Sequence, residues 1–235
     1  QKQLRKMVRL QARCLAIDWK RLRDCDAQVE ALCGLIIAEA ALGANEDDLD
    51  NLMEFLVQRV DGMLHQDGGH RSRMPNKHMS LMRNLIEIRN TGLANNLMQL
   101  TWLDSTIAKM GAICRMWRHA DGQFARFNGA GTLSLNTIEE TLARAGQKGK
   151  LLQHAPDTGF MRFSSGRSTI IMDVGEPAKD ARIAAFGTLG FEFAVGQNLL
   201  VVNPGQNARD LNLQRLLCST RAHSTVSIDG QDFSD

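Results

Sequence analysis

Apolar positions along the first 146 residues recur at multiples of a helical turn. Leu4, Val8, Leu15, Trp19 and Leu22 predict one amphipathic helix, and Val29, Leu32, Ile36 and Ala40 a second. Asn45 followed by Glu46, Asp47 and Asp48 has the form of an N-cap with acids in the first turn. It opens a third helix through Leu49, Leu52, Leu56 and Val60. A fourth is expected from about Lys77 to Asn90. A fifth is expected from Asn95 to Trp117 on the stripe Leu100, Leu103, Ile107, Met110, Cys114, Trp117, and a sixth from Leu135 to Ala145. After Gly146-Gln-Lys-Gly-Lys150 the pattern changes. Phe160-Met-Arg-Phe163, Ser168-Thr-Ile-Ile-Met172, Gly190-Phe-Glu-Phe-Ala194, Leu199-Leu-Val-Val202 and Ser224-Thr-Val-Ser-Ile228 read as short strands between Gly, Pro, Asn and Asp. Helices followed by strands predict two domains, 1–146 and 147–235, rather than an alternating α/β sheet.

Composition narrows the class. With 235 residues, 43% apolar and 23% charged, the chain is that of an ordinary globular protein with a core. Its longest apolar runs fall far short of the roughly 18 residues of a membrane span. Five cysteines without a CxxC pair signal neither a zinc knuckle nor a disulfide framework. No Tyr is present, so a phenolic acid or base would have to come from elsewhere. A start at Gln1 inside a predicted helix, without Met, suggests a piece of a longer protein.

Charge is unevenly placed. Residues 1–24 carry eight Lys or Arg against Asp18 and Asp24, whereas residues 25–58 carry eight Asp or Glu and no Lys or Arg. Solvated faces account for most such patterns, and a basic helix acting as an interaction module for an anionic partner is the other reading. The net charge of +2 gives no reason to expect nucleic acid as the partner.

The densest polar stretch runs from His65 to His78 and holds His70, Arg71 and Arg73 beside Asp67-Gly68-Gly69. A second stretch of the same kind, His119-Ala-Asp-Gly-Gln-Phe-Ala-Arg-Phe-Asn-Gly129, follows the fifth helix. Asp-Gly pairs of this kind form turns in which the carboxylate bonds the backbone two residues on. A His beside two fixed cations suits an acidic ligand. The spacing of His65, His70 and His78 is not that of a metal site, and no cofactor is expected. Trp19, Trp102 and Trp117 lie on helical stripes and are read as core. His154, before Ala155-Pro156, is read as a linker residue.

These stretches carry a resemblance. Asp67-Gly-Gly-His-Arg-Ser-Arg-Met-Pro75 resembles the "DGGHxSRNP" signature of heparinase II/III-like proteins, with Met74 in place of Asn, and His119 to Gly129 resembles their "HGDGxLAxFNG" segment. Asp157 to Arg162, Ile171 to Gly175, Gly187 to Glu192, Val202 to Gly205 and Ser219 to Thr225 are similar to the same family's β part, in the same order. The resemblance implies an α+β multidomain protein: an incomplete α/α-toroid followed by an antiparallel β-sandwich, with an acidic polysaccharide between them. It also implies a bacterial periplasmic or envelope setting. Characterised members are lyases that cleave uronic-acid polymers by β-elimination. That reaction needs a neutraliser for the carboxylate, a base for the adjacent proton and an acid for the leaving oxygen.

Departures from the pattern fall on catalytic positions. The family's Asn-His pair aligns with Asp26-Ala27, its Tyr-His pair with Lys77-His78, and the His of its "HAGTLSFE" segment with Ala185. Two readings follow. In a divergent polysaccharide lyase, Arg71 or Arg73 clamps the uronate carboxylate and His70 or His78 takes the proton. His119 or His223 then acts from the other wall, with Arg126 and Asn128 binding substrate. In a catalytically degenerate member, the same residues bind the glycan without cutting it.

Overall fold

The computed structural model describes residues 2–95, 100–146, 151–176, 187–206, 209–227 and 229. Its elements run α1 (Lys2–Asp18), a 3-10 turn (Trp19–Arg21), α2 (Cys25–Leu42), α3 (Glu46–Met63), α4 (Pro75–Asn95), α5 (Leu100–Trp117) and α6 (Leu135–Ala145). Five strands follow, β1 (His154–Ala155), β2 (Phe160–Ser165), β3 (Ser168–Asp173), β4 (Phe191–Val195) and β5 (Asn198–Val201), and then α7 (Leu211–Cys218) and a second 3-10 turn (Thr220–Ala222). The described residues are helical with a five-stranded antiparallel sheet of order β1-β2-β3-β4-β5. Two compact units are formed, one from Gln1–Leu64 with Ser80–Ile107, the other from His65–Met79 with Ala108–Asp235. The helix-to-strand change expected near residue 147 falls on 147–150, which lie outside the described residues.

Local chemistry accounts for the helix ends. Asn45 caps α3 as expected, its Oδ1 accepting from Asp48 N–H at 2.8 Å. Asp24 and Ser134 do the same for α2 and α6, and α2 ends on the left-handed Gly43. In the first unit Leu32, Ile36, Met53, Leu56 and Val60 are fully buried. The first helix stops at Asp18 rather than running to Leu22, which is extended. Trp19 turns inward there, against Phe55.

In the second unit the two faces of the sheet differ. By register, Phe160, Arg162, Ile171, Asp173, Glu192 and Ala194 share one face, and all six are buried. Met161, Phe163, Ile170, Met172, Phe191 and Phe193 occupy the other face, with Phe163 exposed and the rest partly so. Arg162 donates through Nη1 to Met116 O at 2.9 Å and Arg118 O at 2.8 Å, so a strand arginine satisfies carbonyls at the C-terminal end of α5. The strand expected at 224–228 is absent over 224–227, and Ile228 lies outside the described residues. Ser224 Oγ instead bonds the N–H and C=O of Phe191. The helix α7 was not anticipated; Asp210 caps it through Oδ1 to Asn212 and Leu213 N–H.

Candidate functional site

All eight residues singled out in the sequence belong to the second unit. The two polar stretches fold into the same turn. His65 N–H donates to Gly69 O at 2.8 Å, Gly68 N–H to His65 O at 3.0 Å, and Gly69 N–H to Asp67 Oδ1 at 3.2 Å. In the second stretch His119 N–H donates to Gln123 O at 2.8 Å, Gly122 N–H to His119 O at 3.0 Å, and Gln123 N–H to Asp121 Oδ1 at 2.9 Å. Gly68 and Gly122 take the left-handed φ values, 93° and 90°, that the turn requires. Both aspartates therefore have the turn role expected of them.

The first stretch is fastened to the sheet. Asp67 Oδ2 accepts from Thr158 N–H at 2.8 Å and Oδ1 from the Thr158 hydroxyl. A Cβ on Gly69 would lie 1.8 Å from Thr158 Oγ1, so this close approach admits only glycine. Arg73, at φ 57°, is buried. Its Nε donates to Thr158 O at 2.8 Å, and its Nη atoms donate to Gly159 O, Glu176 O and the Asp173 carboxylate. Its guanidinium lies 5.1 Å from the Phe160 ring centroid. Burial pushes the Asp173 carboxyl above the ordinary carboxylate range, against the opposing pull of Arg73. Of the two arginines expected to clamp a uronate carboxylate, Arg73 is thus engaged in an internal ion pair.

The histidines are also held internally. His78 is fully buried, with Nδ1 accepting from His70 N–H at 3.2 Å and Nε2 donating to Met110 O at 2.9 Å. The Trp117 ring meets it edge-on at 5.1 Å. Burial lowers the His78 pKa to about 3, the Met110 carbonyl only partly opposing it. It is a neutral structural imidazole with no path to a ligand. His70 is buried, its Nδ1 within 2.7 Å of Ser72 Oγ and accepting from Ser72 N–H. His119 is buried with Nε2 at 2.9 Å from Glu192 Oε2, while Glu192 Oε1 accepts from the N–H groups of Arg126 and Asn203.

The remaining residues lie closer to solvent. Asn128, at φ 54°, joins the two stretches, its Nδ2 donating at 3.1 Å to both Arg73 O and Asp173 Oδ2. It thereby fixes the loop before Gly129, and its carboxamide, expected to bind substrate, is engaged within the protein. The side chains of Arg126 and His223 are partly exposed and that of Arg71 is exposed. His223 follows a 3-10 turn rather than opening a strand, and its Nδ1 donates to Ser219 O at 2.8 Å. Asp26 and Ala27 lie in the first turn of α2, whereas Ala185 lies outside the described residues. His154 opens β1 rather than sitting in a linker.

Sequence reasoning missed the acceptors Asp173, Glu192 and Thr158. The signal was an acid at the inward position of two otherwise apolar strands, Ile171-Met-Asp173 and Phe191-Glu-Phe193. Among the described residues no group of three or more His, Cys, Asp and Glu is placed to hold a metal ion. No helix among them is long and apolar enough to cross a membrane.

A buried Arg73–Asp173 pair and a buried His119–Glu192 pair tie the two Asp-Gly turns to the antiparallel sheet of a helical-plus-sheet fold. Residues 147–235 match the family described as heparinase II/III-like, C-terminal. The fold extends the likeness into the helices. The heparan sulfate lyase HepC from Pedobacter heparinus is 14% identical with a TM-score of 0.70, over 91% of this chain and 38% of that one. A heparinase III gene product is 16% identical with a TM-score of 0.71, over 91% and 38%. A curated relative, FtsZ-localized protein C of Caulobacter vibrioides, is 24% identical over 204 residues, 86% of this chain and 35% of its own length. The chain therefore spans little more than a third of the proteins it matches.

Proposed function

We propose that this chain is part of a heparinase II/III-like protein that holds an acidic, uronate-containing polysaccharide without cleaving it. One observation carries the reading: three of the motif residues that would take part in β-elimination are engaged within the protein. Arg73 is held by Asp173, His119 by Glu192 and His78 by Met110 O. A neutral imidazole with its pKa near 3, sealed from solvent, neither takes a substrate proton nor returns one. Arg71, exposed, and Arg126, partly exposed, are arginines of these stretches that face solvent and could meet carboxylates.

The same reading takes residues 1–146 as part of an α/α-toroid and 147–235 as part of an antiparallel β-sandwich. Apolar residues on both faces of the sheet support the sandwich, since Met161, Phe163, Ile170, Met172, Phe191 and Phe193 call for a second layer. A bacterial periplasmic or envelope setting suits such a ligand.

The test incubates the full-length protein with heparin-like and alginate-like polymers. The expected outcome is retention on immobilised polymer, weakened by salt and by Arg71→Ala with Arg126→Ala, without growth of the ultraviolet band of an unsaturated uronate. Growth of that band, abolished by His70→Ala, overturns it in favour of a lyase. Absence of any retention overturns glycan binding itself.

A further inference from the structure

Within the second unit, one carboxylate oxygen draws two loop segments together. Glu192 Oε1 accepts from Arg126 N–H at 2.9 Å and from Asn203 N–H at 3.0 Å, so residues 126–131 and 203–206 are fastened to the same point of the sheet. Their approach is close: a Cβ on Gly205, at φ 76°, would lie 3.0 Å from Ala130 O and 3.3 Å from Arg126 Cδ. The stem of Arg126 therefore lies along Gly205, beside Gln206. At Gly131 the packing opens. A Cβ there would meet two atoms within 4 Å among the described residues, Asn76 Nδ2 at 3.8 Å and Gln206 Oε1 at 3.9 Å. A small gap is thus bordered by an amide from the first turn of α4 and an amide from the 203–206 segment. Asn76 Oδ1 is buried without a hydrogen-bond partner among the described residues, so the fold leaves that amide half used. Gln206 is exposed, and Asn76, Arg126 and Gly131 are partly so.

We propose that Asn76, Gln206 and Arg126 form a subsite for one sugar of the acidic glycan, and that this subsite selects uronates with free hydroxyls over sulfated ones. The inference rests on the glycan reading above and narrows it. A primary amide presents one acceptor oxygen and one NH2 group, whichever way it is turned. A group that enters between two amides is held well only if it both gives and takes a hydrogen bond. A pyranose hydroxyl does both. A sulfate ester carries acceptor oxygens alone, so it leaves amide oxygens unanswered and desolvated. The two side chains that face the gap are also neutral, whereas a sulfate calls for a fixed cation at that place. Arg126, next to Gln206 across Gly205, offers its guanidinium fork to the planar carboxylate of the same uronate.

The test titrates the full-length protein with alginate oligosaccharides, which are unsulfated, and with heparin oligosaccharides of the same length at one ionic strength, read by calorimetry. Alginate is expected to bind about tenfold more tightly, corresponding to about 1.4 kcal/mol, although heparin carries the greater charge. Gly131→Ala places a methyl in the gap at ordinary contact distance, so it should melt as the parent does and bring the ratio of the two affinities near one. Gln206→Ala, at an exposed position, should do the same. Arg126→Ala should weaken both ligands and keep the ratio, because both carry the carboxylate. Equal or tighter binding of heparin by the parent overturns the subsite and leaves glycan binding standing. A preference for alginate that survives in either folded variant overturns it as well. Failure of both polymers to bind removes the glycan reading, and this subsite with it.

Discussion

The His65–Gly69 and His119–Gln123 turns share every backbone hydrogen bond described for them, yet they grip the sheet by different chemistry. In the first, the turn aspartate itself reaches the sheet, taking the N–H and hydroxyl of Thr158, and a guanidinium four residues after the turn adds an ion pair to Asp173. In the second, Asp121 stays within its turn and the histidine that opens it reaches Glu192. One local solution is thus combined with two unrelated anchors. A repeated sequence pattern fixes the turn but not what the turn is for.

Substitutions separate the two anchors. The largest effect is expected at Arg73. Arg73→Ala leaves Asp173 buried without its partner and should lower stability by about 3–5 kcal/mol in urea unfolding, whereas exposed Arg71→Ala should stay within about 0.5 kcal/mol. Equal effects would mean that Arg73 is not the anchor. Glu192→Ala removes the acceptor of His119 and of two backbone N–H groups, for about 3 kcal/mol, measured the same way.

His78 beneath the first turn makes stability depend on pH. The unfolded chain takes up a proton near 6.5 and the folded chain only near 3. The neutral form therefore supports the fold fully above about pH 6.5, and that support is lost as pH falls toward 3. The expected slope is about 1.4 kcal/mol per pH unit, and it should vanish in His78→Gln under urea titration between these limits. The smallest contrast lies in the aspartates. Asp67→Ala should cost about 1–3 kcal/mol because Thr158 loses its acceptor, and Asp121→Ala about 0.5–1 kcal/mol because only a turn bond goes. The reverse order in thermal melts would contradict the division between the loops.

Much of this architecture is legible in the sequence because it is local. Six helices follow from periodicity, with α6 bounded as expected and α3 capped by Asn45. Four strand runs pair as antiparallel neighbours. The last run fails because Ser224 uses its hydroxyl on Phe191, where a strand would have used its backbone. The eight-residue α7 has leucines on exposed positions and so lacks a buried stripe to announce it. The motif side chains were visible as chemistry, but their partners were not. Asp173 lies 100 residues beyond Arg73, and Glu192 lies 73 beyond His119. Read without those acids, a buried arginine and a surface arginine look the same. The resemblance drew attention to the two loops, whose shared turn the structure shows.

The arginine that closes the end of α5 carries a further consequence. Side chains alternate sides along β2, so sliding that strand by one residue would turn Arg162 outward and present Met161 or Phe163 to the carbonyls of Met116 and Arg118. An apolar group there leaves two oxygens unanswered while a cation faces outward among Phe and Met. The helix end thereby checks the alignment of the sheet, admitting only the pairing in which strand and helix agree.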